Sequence, residues 1–299
     1  MNLIESMEKV SKFIFDTSKY PTFRLYNIRT DEGKIFKDTY RPKYQKGMKR
    51  YSYSTIKDEG LIPLLEKLDD LKKEYDRELR ETIGEDQYKL FYKCLENWID
   101  GRLIRNSTEI KGLKKDIQQY LLRTYSTLNE SDIRCEEKVD NYESAGISIR
   151  TIRKIIRINR IFLNQRLDLI TGNIIEEYPI DRSDLMLHRG LNINENISLV
   201  SNNYHEKEYL TSYSLSINVA EKFAITGFEK RVIISGGLDL FEDRILACSL
   251  LNRSLKKSQL EFLVIPHWVT LEMAIDSHYD TIEEYELDYP SGYSGIRNM

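Results

Sequence analysis

Three short segments in the second half of the chain carry residue types that could act chemically on an anionic ligand. Arg189 ends an apolar run and is followed by Gly190, Ser212 and Ser214 lie in an alternating run, and Glu261 opens a short apolar segment. A guanidinium matches phosphate in charge and geometry. Serine hydroxyls bond neighbouring carboxylates, and a carboxylate stabilises positive charge that develops on a substrate. Taken singly, each of these residues would more often be an ordinary strand residue facing water.

The segment 209–224 predicts a strand that runs directly into a helix. Its first six residues alternate in the period-2 pattern of a strand and include aromatic and β-branched members. Ser216 then offers a hydroxyl for the helix N-cap, and apolar residues follow at helical spacing. Because alternate strand residues share one face, we expect Ser212 and Ser214 to project on the same side of this strand.

In their order along the chain, these segments resemble the signatures of mono-ADP-ribosyltransferases of the arginine–serine–glutamate class. That family carries an arginine at the end of an apolar strand, then a Ser-x-Ser strand followed by a helix. Its third signature is a glutamate two residues after Glu or Gln, at the start of an apolar strand. The matching residues here are Arg189, Ser212 with Ser214, and Glu261 preceded by Gln259. The resemblance covers roughly residues 185–273 firmly and the helices from about residue 85 more loosely.

The resemblance implies that the chain uses NAD as a substrate, transfers ADP-ribose to an acceptor and releases nicotinamide, without a metal. It implies that Glu261 bonds the nicotinamide ribose and stabilises an oxocarbenium-like transition state, and that Ser212 holds this glutamate in place. Gln259 is implied to act in the transfer step. The residues expected to bind NAD are Arg189, at the phosphates, with Gly190, Tyr213 and Ser214.

Three positions depart from the common family pattern. Tyr213 stands where most members have threonine, which changes the wall expected beside nicotinamide. Gln259 stands where arginine-specific members carry a glutamate, and a neutral amide cannot attract or deprotonate a guanidinium. Lys256 stands where related toxins often have an aromatic residue. Members with Gln-x-Glu resemble bacterial toxins that modify asparagine or glutamine and some enzymes that modify guanine, so we expect an acceptor other than arginine.

Helical patterns precede strand patterns, which predicts an α+β fold. Apolar stripes at helical spacing begin near residues 61, 91, 113 and 149. The resemblance implies a helical lobe packed against two perpendicular antiparallel sheets, with NAD in the cleft between them. The predicted strands are Leu185–Arg189, Tyr209–Ser214, Arg231–Ser235, Ile245–Ser249, Glu261–Ile265 and Val269–Met273.

The first part of the chain, over residues 1–58, is predicted to be a separate basic, tyrosine-rich arm. Lysine and arginine alternate with tyrosine over residues 40–53, a composition that could grip a nucleic acid backbone and stack on bases. The alternative is a loop-rich arm that packs on the following helices, and this is favoured because no nucleic-acid motif accompanies the run. The ADP-ribosyltransferase domain is then expected over 59–299, with a helical lobe over about 59–178 and a β core over about 179–299.

Composition narrows the classes of function. A net charge of -3 gives no global field that commits the chain to nucleic acid or membrane, and 40% hydrophobic residues suffice for a core. The 3 cysteines and 4 histidines lack the paired spacing of a metal site. Neither a signal peptide nor a membrane-spanning run is evident. We therefore expect reduced thiols and a protein that acts in the cytoplasm or is delivered into a host cell.

Two hypotheses of different class remain. The first is an active mono-ADP-ribosyltransferase of a toxin, effector or phage-type protein, acting on a host protein more readily than on nucleic acid. The second is a binding or structural module that keeps the fold but has lost turnover because Tyr213 blocks nicotinamide. The presence of Arg189, Ser212 and Glu261 together favours the first hypothesis. The sequence leaves the oligomeric state open.

Overall fold

A computed structural model gives the fold of the chain. The predicted arm over 1–58 lies outside the described residues, and so do Lys256 and Gln259. Within the described part, no helix has the length and apolar character needed to cross a membrane. The described residues are 69–98, 107–124, 135–174, 186–192, 203–215, 219–220, 223–224, 231–255, 260–267, 271–279 and 282–288.

Within the described residues, four helices precede the strands and pack through apolar stripes at three- and four-residue spacing. They are α1 (Asp69–Ile83), α2 (Glu85–Trp98), α3 (Thr108–Thr124) and α4 (Ile149–Ile174). Gly84 separates α1 from α2 with a φ of 86°, a left-handed conformation that glycine adopts without steric cost. All four predicted helical stripes are therefore present, although the first is described only from Asp69. Their fully buried members include Tyr75, Leu79, Phe91, Leu95, Leu113, Ile117, Ile152 and Ile155.

The strands form one eight-stranded sheet, so the α+β class is confirmed. Its order is β2-β7-β8-β4-β1-β3-β6-β5, and β4 and β8 are its parallel neighbours. The strands are β1 (Met186–Asn192), β2 (Asn203–Tyr204), β3 (Thr211–Ser214), β4 (Arg231–Gly237), β5 (Ile245–Cys248), β6 (Glu261–Val264), β7 (Leu271–Tyr279) and β8 (Ile282–Asp288). All six predicted strands are present with shifted ends. β2, β8 and the single-turn helix α5 (Leu238–Phe241) were not predicted.

Two perpendicular sheets are not confirmed, because the described strands are hydrogen bonded as one sheet. Its two parts meet where β1 lies beside β3. Within the described residues, β1 pairs with β3 at His188 and Ser214, and it pairs with β4 along its whole length. A sequence pattern predicts which face of a strand is buried, but it does not reveal which neighbour completes the hydrogen bonds.

The helices fix strand β5, which lies at one edge of the sheet. Asn159 of α4 is fully buried and donates from Nδ2 to the carbonyl oxygens of Ile245, over 2.9 Å, and Leu246, over 2.8 Å. The hydroxyl of Tyr75 in α1 donates to its Oδ1 over 2.5 Å. Because these bonds satisfy carbonyls on the outer edge of the sheet, α1 and α4 protect β5 and hold it against β6.

We expect Asn159→Leu to lower the free energy of unfolding by about 1–3 kcal/mol or more, because it leaves buried carbonyls and a buried hydroxyl without partners. Urea denaturation followed by circular dichroism measures the change. Asn97→Leu is the matched control, since the Asn97 amide makes an exposed bond within α2. Equal denaturation midpoints for the two variants would contradict this account of the sheet edge.

Candidate active site

The carboxylate of Glu261, at the start of β6, is held by two hydrogen bonds. The hydroxyl of Ser212 donates to Oε1 over 2.6 Å, and the indole N–H of Trp98 donates to the same oxygen over 2.8 Å. Both ends are sheltered from water, since Glu261 is 8% exposed and Trp98 is 5% exposed. Hydrogen bonds to an ionised acceptor are shorter and stronger than neutral ones. Two donors on one oxygen therefore restrict how the carboxylate can turn.

The backbone around Glu261 is constrained as well. Leu260 has a φ of 45°, the only positive φ of a non-glycine residue in the part of the chain that the structure describes. Such a conformation is costly for a leucine and persists only where the surroundings enforce it. Here the amide of Leu215 donates to the Leu260 carbonyl over 3.2 Å, and the amide of Ser249 donates to the Glu261 carbonyl over 2.8 Å. Bonds on both sides thus fix the point where the chain enters β6.

The described members of the predicted site line one cavity of about 670 Å³, a volume typical of small-molecule sites. They are Arg189, Gly190, Ser212, Tyr213, Ser214 and Glu261. Helix α3 and the segments before α4 and β3 add charged residues to the wall. These are Lys111, Lys114, Glu136, Glu137, Lys207 and Glu208. The cavity lining therefore combines apolar side chains with several charged groups of both signs.

The most buried cation of that wall is already paired. Lys114 is 6% exposed, and its Nζ lies 2.9 Å from Oε1 of Glu137 and 3.2 Å from Oε2 of Glu208. These two bonds join α3 to the segments that precede α4 and β3. Lys114 therefore holds the wall together, and its charge is balanced by carboxylates before any ligand enters.

Arg189 differs from Lys114 because one of its donors lacks an acceptor. Its Nη1 is buried and has no hydrogen-bond partner among the described residues. Burial by itself lowers the pKa of Arg189, but the neighbouring Tyr204, Tyr213, Glu208 and Glu206 raise it, so the guanidinium stays charged. A buried charged donor without an acceptor is costly. An anionic ligand group in the cavity would remove that cost.

Tyr213 is anchored within the core rather than in open space. Its side chain is 1% exposed, and its ring centre lies 4.7 Å from that of Phe241. Its hydroxyl donates to Oε1 of Glu206 over 3.1 Å and lies 3.4 Å from the hydroxyl of Tyr204. Burial raises the pKa of Tyr213 well above its usual value, so the phenol stays neutral. The predicted place of Tyr213 beside nicotinamide remains a prediction.

Strand alternation divides the predicted residues into two groups. Ser212 and Ser214 share one face of β3, and Ser214 pairs with Glu261 in the register of β3 and β6. Tyr213 belongs to the other face, and the guanidinium carbon of Arg189 lies 6.0 Å from its ring centre. The cavity is lined by members of both groups, where β1 and β3 meet.

The two neighbours of Arg189 in β1 have packing roles. His188 is 1% exposed, and its Nδ1 lies 2.8 Å from Oγ of Ser235 in β4. A Cβ atom at Gly190 would overlap the carbonyl oxygen of Ala220. The helical backbone at Ala220 therefore lies directly against β1, and only glycine leaves room for it. Whether Gly190 also admits a ligand stays a prediction.

Trp98 is the site residue that the sequence did not single out. It belongs to the apolar stripe of α2, a position at which the sequence predicts that a large aromatic residue packs in the core. A buried indole N–H usually has a hydrogen-bond partner, and that requirement was the one available signal. Its partner, Glu261, is far away in the sequence and cannot be found from spacing. Among the described residues, no group of His, Cys, Asp and Glu could hold a metal ion.

Comparisons by sequence give no match. No protein-family model matches the chain, and no curated protein matches it.

Among solved structures, those to which the chain is similar include structures of bacterial proteins. The Vis toxin, an ADP-ribosyltransferase from Vibrio splendidus, has a TM-score of 0.37 and 15% identity, covering 83% of this chain and 94% of that one. The Vis complex with agmatine has a TM-score of 0.31 and 14% identity, with 76% and 86% covered. Exoenzyme S from Pseudomonas aeruginosa, bound to carba-NAD and human 14-3-3 protein beta, has a TM-score of 0.28 and 15% identity, with 76% and 95% covered.

The descriptions of the two Vis structures name an ADP-ribosyltransferase, the class that the three sequence segments resemble. At such low TM-scores and identities, activity has to be argued from the residues of the site.

We expect Tyr213→Phe to lower the free energy of unfolding by about 1–3 kcal/mol, because the buried Glu206 carboxylate loses a donor while the ring is kept. Urea denaturation measures the change. Tyr142→Phe is a suitable control, since Tyr142 lines the same cavity and is only partly buried. If Tyr213→Phe is as stable as the wild type, the hydroxyl does not support the fold and the packing account of Tyr213 fails.

Proposed function

We propose that this protein is an NAD-dependent mono-ADP-ribosyltransferase, which transfers ADP-ribose from NAD to a macromolecular acceptor and releases nicotinamide. The observation that carries the proposal is the buried carboxylate of Glu261, fixed by Ser212 in a cavity that Arg189 also lines. Such a carboxylate suits a reaction in which the substrate becomes positively charged. The three motifs that resemble the family support the same activity.

The reaction breaks the bond between the nicotinamide nitrogen and the anomeric carbon of its ribose. The bonding electrons leave with nicotinamide, and positive charge spreads over the anomeric carbon and the ring oxygen. A fixed carboxylate stabilises that charge most strongly where water is excluded, and Glu261 meets both conditions. An acceptor nucleophile then bonds to the anomeric carbon and loses its proton.

Arg189 is proposed to bind the pyrophosphate of NAD. It supplies a permanent charge and a fork of donors that matches phosphate oxygens. Its buried Nη1 lacks an acceptor within the described part of the chain, which supports an anionic ligand at this position. Lys114 is a poorer candidate because two carboxylates already neutralise it.

The position of Tyr213 supports an active enzyme over the alternative of a module without turnover. That alternative required the phenol ring to block nicotinamide. The ring is instead packed on Phe241, and its hydroxyl is bonded to Glu206. The bulk that distinguishes tyrosine from threonine is therefore accommodated largely within the core.

We further propose that the acceptor is a protein side chain other than arginine, and that the enzyme belongs to a toxin, effector or phage-type protein acting inside a host cell. Gln259, which lies outside the described residues, stands two positions before Glu261 on the same predicted strand face. Its amide offers one acceptor and two donors. This complements the amide of asparagine or glutamine better than it does a guanidinium.

The first test concerns the reaction itself. We expect Glu261→Gln to abolish nicotinamide release from labelled NAD while NAD binding persists, because the variant loses a charge needed in the transition state. Arg189→Ala should weaken NAD binding by about 1.5–3 kcal/mol, the worth of a charged hydrogen bond, as measured by calorimetry.

Arg150→Ala provides the control for these variants, since Arg150 is exposed and does not line the cavity. Its NAD affinity and turnover should match those of the wild type. A wild-type chain that neither hydrolyses nor transfers labelled NAD, with or without a cell lysate, would overturn the proposed activity.

The second test concerns the acceptor. We expect Gln259→Ala to impair transfer to lysate proteins while NAD hydrolysis continues, because water needs no recognition by the amide. Gln259→Glu should gain transfer to the arginine analogue agmatine. Mass spectrometry of the modified proteins identifies the acceptor residue. ADP-ribose found mainly on arginine in the wild-type reaction would refute this role of Gln259.

A further inference from the structure

We infer that Trp98 is a positioning residue for catalysis, which anchors the carboxylate of Glu261 from the helical part of the molecule. This inference rests on the proposed function. Its central observation is the buried hydrogen bond of 2.8 Å from the indole N–H to Oε1 of Glu261, which links α2 to β6. None of the three motifs contains Trp98.

The indole has a single polar group, and that group is committed to Glu261. Trp98 Nε1 is a donor only, so the bond also selects the ionised carboxylate as its natural partner. At 5% exposure, the N–H has little access to water as an alternative acceptor. The contact is therefore more than incidental packing of an aromatic ring.

The two anchors of Glu261 come from different layers of the fold. Ser212 lies on β3, the strand paired with β6, whereas Trp98 is the last residue of α2. A serine hydroxyl turns easily about its single side-chain torsion, but an indole is a rigid plane held by the packing around it. Trp98 thus fixes the direction of the carboxylate, and its ring covers part of the cavity wall next to that carboxylate.

Helix α2 is itself firmly held, which a positioning role requires. Leu95 and Phe91 are fully buried, about one and two turns before Trp98 respectively. The hydroxyls of Tyr88 and Tyr92 both donate to Oδ1 of Asp76 in α1, over 2.5 and 2.6 Å. These contacts transmit the rigidity of the helical layer to the indole, and through it to Glu261.

The decisive variant replaces Trp98 with benzothienylalanine, which keeps the shape of the ring system and substitutes sulfur for the N–H. We expect kcat for NAD hydrolysis to fall about tenfold or more, the effect of losing one hydrogen bond to a charged group. KM for NAD should stay within about twofold, because the lost bond acts on the reacting ribose rather than on binding. Trp98→Phe should likewise lower kcat and leave KM nearly unchanged.

The pH profile separates positioning from structural damage. A carboxylate that loses a donor is protonated more readily, so the acid limb of the profile for kcat should move to higher pH in both variants. Asn97→Leu removes an exposed hydrogen bond within α2 and serves as the control, with kcat and the acid limb unchanged. If the Trp98 variants keep the wild-type kcat and profile, the inference is wrong while the proposed function stands.

A measurement independent of turnover tests the contact itself. Trp98 is one of 2 tryptophans, so indole ¹⁵N labelling gives a spectrum of two N–H signals that Trp98→Phe assigns. The Trp98 signal should lie downfield, titrate with an acidic group, and lose that titration in Glu261→Gln. An indole signal that does not respond to pH or to Glu261→Gln would overturn the inference. A responsive signal in a chain that consumes no NAD would support the contact and refute the proposed function.

Discussion

The buried carboxylate of Glu261 is the feature on which the arrangement of the site depends. A carboxylate removed from water is costly unless donors meet its charge, and Ser212 and Trp98 supply them from two different layers. The site therefore exists only when β3, β6 and α2 are assembled together. The exclusion of water that makes the buried charge costly also strengthens its attraction to positive charge on a substrate.

A second set of buried polar contacts holds the frame in which that carboxylate lies. Asn159 closes the edge of β5, so β6 is held between two ordered strands. On the other face of β3, Tyr213 is bonded to Glu206, which lies 3.6 Å from the guanidinium of Arg244. Removing one partner of such a buried pair lowers the free energy of unfolding strongly, whereas replacing both partners by apolar residues is often neutral. The edge of the sheet at β5 and the face of β3 that carries Tyr213 are thus both fixed by polar groups as well as by apolar packing.

The sequence predicted much of this frame because periodicity reports burial directly. Helical stripes and alternating runs located the four helices and six of the strands, since a core-facing side must be apolar. The alternation around Ser212 also predicted that Ser212 and Ser214 share a face. Strands β2 and β8 escaped prediction: β2 is only two residues long, and β8 is rich in acidic residues. Their identity as strands comes from pairing with β7 and β4.

By itself, the sequence determined the residue types available for chemistry, their order, and the faces on which local geometry places them. Only the tertiary structure decided which of them meet. The hydrogen bond between Trp98 and Glu261 joins residues 163 positions apart. The pairing of His188 in β1 with Ser214 in β3, which joins the strands into one sheet, is likewise non-local. The reason is physical: side-chain direction follows from neighbouring residues, whereas a buried donor finds its acceptor only when distant elements pack. Gly190 shows the same limit of sequence-based prediction. This position must lack a side chain because Ala220 lies against it, and that contact is formed only in the folded chain.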